Sequence, residues 1–550
     1  MTSYAHSSRQ VIGALRGPVD VLDATTRQRR IEVAIGVGAL ATILAGCLLL
    51  VVVAADRPSL LAATTTSHFF PHWMAGPLGG LWPSLTRSTQ GLRYLFSGAV
   101  VVMYVSYLLG LKYVPRLPAR WAIATVVGVH AIMFLSPPLA LTDVFNYVNY
   151  GRMEIVHHLN PYTTTPILEP HDDPSFALSN WHQLLSPYGP VFTLVTFAVV
   201  PLGVAASFWT LKGLLMLASL ATVLLVWRSA RLLGRDPVAA IVLVGLNPIV
   251  LVWGLGGDHN DFLMMFFVML GFYLLLRAGC MPGAFGRGGA RAVRAGTGQS
   301  ALDGVAGEVG KTGGDEGGHG GGDEGGDEVG DEGGDEGAAG MWSPALAGAG
   351  AAFVAAVAIK ASAGILLPVV LVGLARRRRD LVRVLLGMAL GAIVLGVCSV
   401  VAFGPHFPDL ATQGRLVTMV SLPNLLGLAL GQGGETNTMR LLLSGVLLVC
   451  LTACSVLAWR RRESLTAAGW ASVALLVTLS WVLPWYVLWI LPLAALSSSR
   501  RLRTTALLLG VYFIVAWAPV TGYAFNAIGF HPEKTSLGRL HQRYVKELLY

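Results

Sequence analysis

WAIATVVGVHAIMFLSPPLAL, residues 121–141, runs straight into TDVFNYVNYGRMEIVHHLNPY, residues 142–162. The first stretch carries one ionisable group, His130. It is long enough to cross the ~30 Å of a bilayer's hydrocarbon as a helix with its backbone groups satisfied internally. The second opens on a carboxylate, Asp143, and continues with Tyr, Asn, Arg and His side chains. A charge so near the end of a span is costly against lipid, so Asp143 must face water, protein or a bound molecule.

Working outward, runs like the first recur along most of the chain. Its 550 residues are 54% hydrophobic and 13% charged, and the mean hydropathy is +0.63, a composition that excludes an ordinary soluble domain. No ten-residue alternating pattern appears, which excludes a barrel. The pattern predicts an all-α integral membrane protein of about thirteen transmembrane helices, at 31–54, 94–111, 121–141, 208–227, 237–255, 262–276, 341–359, 361–374, 385–403, 441–459, 465–483, 486–496 and 505–520. The first run follows a basic leader ending RQRR and lacks a small-residue cleavage site, so it reads as a retained span.

Arginine and lysine cluster at Arg27–Arg30, Lys112–Arg120, Arg228–Arg235, Arg376–Arg379, Arg460–Arg462 and Arg500–Arg503. All fall on one face if the N-terminus is cytoplasmic, in a multi-pass protein of the plasma or inner membrane. Residues 190–206 would break that count as a full span and are read as a re-entrant or interfacial helix. The formal charge of +9 comes from these inter-span loops, which speaks for topology and against nucleic-acid binding. Twelve of the thirty acids lie between Asp303 and Glu336, in repeats of GGDE with almost no large apolar residues. Such a segment cannot bury enough surface to repay its ordering, and its acids lack calcium-loop spacing.

The resulting division is a cytoplasmic leader (1–30), an N-terminal membrane part (31–281) with an external loop at 142–189, and a disordered cytoplasmic loop (282–340). A C-terminal membrane part (341–520) and an external tail (521–550) follow. Five cysteines, at 47, 280, 398, 450 and 454, sit in spans or at a span end with no metal-ligand spacing. No metal or other cofactor is implied.

Four polar islands then share the outer face: 57–89, 142–189, the GGDHND turn at 256–261, and 404–440. In the second, Asp143 reads either as a helix N-cap or as a reactive carboxylate. Around it stand Tyr147, Arg152, and the turn Asn160, Pro161, Tyr162, with Tyr188 in the later turn SPYGP. Amides, phenols and carboxylates are side chains that recognise sugar hydroxyls and faces. In the GGDHND turn, Asp258, His259, Asn260 and Asp261 precede a span, where Asn260 or Asp261 reads equally as a cap. Lys360, between two short apolar runs, and Arg415, in the loop 404–427, are each either a snorkelling cation or a phosphate ligand.

The blocks DVFNYVNYGRMEIVHHLNPY, SPYGPVF and GGDHNDFLMMFFVML, with the later WVLPWYVLWILPL, together resemble the actinobacterial polyprenol-phosphomannose-dependent α-1,6-mannosyltransferases, which are type C multi-span glycosyltransferases. The acidic insert is not part of that pattern. The resemblance implies a type C architecture with interfacial helices in the first large external loop. It implies a polyprenyl phosphate sugar donor carrying a hexose, mannose by the likeness, and an extracytoplasmic glycan or lipoglycan acceptor. It places Asp143 as the catalytic base of an inverting transfer. Tyr147, Tyr162, Tyr188 and the residues 258–261 become substrate contacts. Arg152, Lys360 and Arg415 become candidates to meet the donor phosphate. A rival reading from another class is a flippase or transporter of polyprenyl-linked sugars, which would keep its ionisable groups in interrupted helices near mid-membrane.

Overall fold

In the computed structural model of the protein, residues 18–56, 71–82, 88–139, 143–281 and 343–549 are described, and every regular element among them is helical. The acidic insert at 282–340, most of the island at 57–89 and residues 1–17 of the leader lie outside the described residues.

The first helix, α1 (Pro18–Asp56), carries the expected span and begins well upstream of it. It packs along α2 (Thr89–Tyr113), where Gly46 leaves room for Met103. A salt bridge between Glu32 and Arg116 ties its start to the basic turn after α2. Helix α3 (Ala119–Phe134) stops short of the expected 141. Its sequence continues Leu135, Ser136, Pro137, Pro138, and a proline disfavours the helical conformation of the residue before it while removing a donor of its own.

Helix α4 (Asp143–Ile155) packs on α5 (Pro190–Val199) through Gly151, where any Cβ would strike Thr196 and Val200. After α5 a short turn ends at Gly203, φ +85°. The segment expected to be re-entrant is therefore a helix of under four turns, short of a crossing. Helix α6 (Val204–Leu232) is a full-length apolar helix. Next comes a broken one: α7 (Pro237–Gly245) restarts after Asn247 and Pro248 as a helical segment Val250–Gly257 bent by 51°. Asn247 Oδ1 accepts from Ile249 N (3.0 Å) and Val250 N (3.4 Å), supplying the cap that the restart needs.

Helix α8 (Asp261–Arg277) runs back beside α6 and against α9 (Pro344–Ile359). The backbones of α9 and α11 (Arg378–Phe403) approach so closely that a Cβ at Gly350 would meet the carbonyl of Val384, and one at Gly387 that of Ala347. Small residues at such crossings let helices pack where hydrophobicity gives no preference over lipid. Between them, α10 (Leu366–Leu374) follows a 3-10 turn at Ala361–Ile365 that starts from Lys360.

The remaining helices are α12 (Leu410–Gln413), α13 (Leu422–Ala429), α14 (Asn437–Arg461), α15 (Ser464–Thr478), α16 (Leu491–Leu496), α17 (Arg500–Trp517), α18 (Thr521–Ala527) and α19 (Ser536–Leu549). Among the described residues, five helices are long and apolar enough to cross a membrane, or seven if α7 with its continuation and α17 with α18 each count as one. Of the other expected spans, 121–141 is cut at Pro137, 486–496 carries Pro492, and 341–359 and 361–374 meet at the break at Lys360, while 262–276 and 465–483 form helices of 17 and 15 residues. Of the tail at 521–550, expected only as an external extension, residues 521–549 are folded. Its amphipathic α19 packs Leu548 against Leu184 and Leu416.

Candidate active site

Two backbone approaches bring the polar islands together. Leu139 N–H donates to the carbonyl of Gly256 (2.7 Å), and a Cβ at Gly256 would strike the Leu139 side chain, so the segment leading to α4 lies on the GGDHND turn. Gly189 N–H donates to the carbonyl of Ile359 (3.1 Å), and a Cβ there would overlap the Ala358 carbonyl. The SPYGP turn is thereby seated against the end of α9, one residue before Lys360. These glycines are needed for close approach, which no side chain would permit.

At the centre, His259 Nδ1 lies 3.3 Å from Asp143 Oδ2. The imidazole is buried and stacks on Trp485, with ring centroids 3.4 Å apart and planes 7° from parallel. Its other nitrogen, Nε2, is buried without a hydrogen-bond partner, as are both polar atoms of the Asn260 side chain. Asp143 opens α4, and its side chain keeps 19% of its surface exposed. Among the described residues it has no lysine or arginine partner.

The neighbouring aspartates differ in that respect. Asp258 pairs with Lys212 Nζ (3.1 Å), which is fully buried and also donates to Ser136 Oγ (3.2 Å). Asp258 holds φ +55°, a left-handed conformation that Asp adopts more readily than most residues and that turns the chain from the broken helix into α8. Asp261 receives Lys360 Nζ on both oxygens (3.0 and 2.8 Å), Trp489 Nε1 (2.6 Å) and Trp485 Nε1 (3.2 Å). Lys360 in turn sits over the rings of Tyr486 and Trp489, 4.7 and 5.4 Å from their centroids. Asp261 is thus committed to an ion pair. Asn260 occupies the N-cap position of α8 but makes no side-chain cap bond.

Around this core, Asn260 N–H donates to Tyr147 OH (3.4 Å), and Tyr147 meets Tyr188 and Phe192 edge-on. Tyr162 OH donates to the Tyr188 carbonyl (2.8 Å), fastening the two turns to each other. The structure therefore gathers Asp143, Tyr147, Tyr188, residues 258–261 and Lys360, with Tyr162 one contact behind.

Arg152 and Arg415 stand apart. Arg152 lies nine residues along α4 from Asp143, about 13 Å by helix rise. Its guanidinium is held by Asp173 through Nε (2.9 and 3.0 Å) and Nη2 (2.8 Å), an ion pair within the external loop and outside the cluster. Burial works against the Asp173 charge, but Arg152, Ser175 and His157 outweigh it and hold the carboxyl well below its usual range. Arg415 is exposed in the turn after α12.

Lys212, Ser136, Trp485 and Trp489 belong to the cluster and were not singled out in the sequence. A lysine inside an apolar run was the available signal, since an intramembrane cation needs a partner. The two indoles gave none beyond lying in the block WVLPWYVLWILPL.

Fold and cluster together define a multi-pass helical membrane protein in which one carboxylate, without a lysine or arginine partner among the described residues, lies beside buried, charge-compensated aspartates. The family model described as Alpha-(1->6)-mannopyranosyltransferase, N-terminal domain, matches residues 33–306, and that of the MptB C-terminal domain matches residues 417–531. The two matches take in the larger part of the chain, which belongs to the alpha-(1->6)-mannopyranosyltransferase family. Alpha-(1->6)-mannopyranosyltransferase A of Mycobacterium tuberculosis is 35% identical over 160 residues, 28% of this chain and 30% of the relative. The protein of that name from Corynebacterium glutamicum is 28% identical over 152 residues, 26% of this chain and 30% of its own length. A probable alpha-(1->6)-mannopyranosyltransferase of Mycolicibacterium smegmatis is 26% identical over 151 residues, 26% of this chain and 27% of its own. The chain thus aligns with under a third of the length of each curated relative. No solved structure matches it.

Proposed function

We propose that the protein transfers mannose from a polyprenyl phosphate-linked donor to an extracytoplasmic glycan or lipoglycan acceptor, forming an α-1,6 bond with inversion. The N-terminus is cytoplasmic, and the site opens on the extracytoplasmic side. One observation carries the reading: of the three aspartates in the cluster, Asp143 alone has no lysine partner and keeps an exposed edge.

In the proposed step, Asp143 takes the proton from the acceptor hydroxyl while that oxygen attacks the anomeric carbon from the side opposite the phosphate. The bond between anomeric carbon and phosphate oxygen breaks, and the lipid phosphate leaves as an anion. No second carboxyl is needed to protonate it, unlike the leaving group of a glycosidase. Positive charge near the phosphate is needed instead, and Lys360 is the cation of the cluster with solvent access, 22% of its side chain being exposed while its ammonium pairs with Asp261. Arg415 is the second candidate. His259 Nδ1, 3.3 Å from Asp143 Oδ2, orients the carboxylate, while His259 Nε2 and both polar atoms of the Asn260 side chain are buried beside it without hydrogen-bond partners.

Membranes holding the protein, given radiolabelled polyprenyl phosphomannose and a short α-mannoside, are expected to extend the acceptor. Asp143→Asn is expected to abolish extension at unchanged expression. Retained transfer in that variant would sink the proposal.

A second reading, transport of the lipid-linked sugar, gains support from the interrupted helices at Asn247–Pro248 and Lys360 that flank the cluster. In the same membranes it predicts movement of the carrier across the bilayer with no new glycosidic bond.

A further inference from the structure

A cavity of about 570 Å³ lies between residues 417–420, Trp481, the end of α17 and the amphipathic helix α19. We infer that it is a subsite for the non-reacting sugar units of a hexopyranoside acceptor chain. The inference rests on the mannosyltransferase reading above and adds where the acceptor is held.

Its position comes first. Asn146, one turn along α4 from Asp143, accepts through Oδ1 from Asn180 N (2.7 Å) and Trp181 N (3.3 Å). Trp181 meets Trp481 edge-on at 6.1 Å, and Gln183 N–H donates to the Leu548 carbonyl (3.0 Å). Helix α19 is therefore fastened to the loop that α4 anchors, on the same side of the molecule as Asp143. From the other direction, Trp481 stands four residues before Trp485, the indole stacked on His259. The cavity wall and the wall of the candidate site are one continuous strand of chain.

Chemistry comes second. Two indoles, Trp481 and Trp517, come to the cavity from different elements. Gln542 and Lys546, one helical turn apart on α19, put an exposed amide and an exposed ammonium at its rim. Flat apolar faces suit the C–H face of a pyranose, and the amide and ammonium suit its hydroxyls. A few polar groups in a mainly apolar cavity of this size is the usual make-up of a small-molecule site. Among the described residues no carboxylate side chain lines it. A polyprenyl tail would use the indoles but gain nothing from the amide.

The floor is rigid. Thr418 N–H donates to the Ser480 carbonyl (3.0 Å), and Thr418 Oγ1 accepts from Val482 N (3.3 Å). Buried Glu435 joins Ser480 Oγ (2.6 Å) to Arg440 Nε (3.2 Å).

The test uses the purified full chain carrying Asp143→Asn, so that binding is read without turnover. Fluorescently labelled α-1,6-linked mannotetraose and mannobiose are titrated with and without Gln542→Ala plus Lys546→Ala. Both side chains are exposed, so the fold is expected to survive. The expected result is about tenfold weaker binding of the tetrasaccharide, as for one or two lost hydrogen bonds, with the disaccharide unchanged. The inference is overturned by no binding of the tetrasaccharide to the parent, by no change in the double variant, or by equal loss for both probes. It is overturned as well if polyprenyl phosphate, and not unlabelled mannotetraose, displaces the probe. Loss confined to the tetrasaccharide in a protein whose wild type transfers nothing would keep the subsite and retire the catalytic reading. Transfer by the wild type with binding untouched by the variants would do the reverse.

Discussion

Lys360 Nζ sits 2.8 and 3.0 Å from the two oxygens of Asp261, although a break between α9 and α10 supplies the lysine and the first residue of α8 supplies the aspartate. Two indole N–H groups complete the carboxylate's partners. Removing one member of a buried pair leaves the other uncompensated, at about 3–5 kcal/mol. The two members are not equivalent here, since Lys360 has solvent access and Asp261 has almost none. Lys360→Met is therefore expected to lower the unfolding temperature in detergent more than Asp261→Asn, and the double variant to recover part of the loss. An equal or reversed order would show that the indoles alone neutralise Asp261.

Glu169, in the external loop, is buried with neither carboxylate oxygen hydrogen-bonded. Burial pushes its carboxyl from an ordinary 4.5 up to about 8. A carboxyl whose folded value is raised keeps a proton that the unfolded chain releases, so stability falls as pH rises between these two values. Glu169→Gln is expected to raise the melting temperature at pH 8 and to leave it nearly unchanged at pH 4.5. Equal shifts at both pH values would remove the argument.

How much of this could be read from the chain alone differs from residue to residue. Asp143 and the 258–261 turn stood out because carboxylates bordering apolar runs are costly and rare, and the fold brings them together. The pairing of Arg152 with Asp173 was hidden, because an arginine beside a polar loop has many possible partners and only the folded loop selects one. The short helices trace to Pro137, Pro248 and Pro484, which were visible as breakers while run length suggested full crossings. Helix α19 was legible by its period, with Leu537, Leu540, Tyr544 and Leu548 three or four residues apart, and went unread inside a tail assigned by topology.

Asp173 has the opposite pH sign to Glu169. Arg152, His157 and Ser175 hold its carboxyl below the ordinary 3.8 against the cost of burial. Stability from a lowered carboxyl is present above the ordinary value and lost as pH falls below it. Asp173→Asn is expected to lose on the order of 1–3 kcal/mol at pH 7, the scale of hydrogen bonds to a charged group, and progressively less below pH 4. Denaturant unfolding at the two pH values checks this, and a loss that does not shrink in acid would point to packing alone.

In the proposed mechanism His259 acts through Asp143, so its variants need a readout that packing would not move. The imidazole offers two separable contributions, a ring stacked on Trp485 and a ring nitrogen, Nδ1, 3.3 Å from the carboxylate. His259→Phe keeps a ring for the stack and removes the N–H. His259→Asn gives up the ring but can place an amide N–H near the position of Nδ1. If the N–H orients the base, Phe is expected to lower kcat for mannosyl transfer by ~10–100-fold at unchanged acceptor KM, as for a mispositioned acid–base group. Asn is then expected to recover part of that rate despite a lower melting temperature. If the stack alone matters, the order inverts, with Phe near wild type and Asn impaired in both rate and stability. Rate and melting temperature measured on the same preparations separate the two cases.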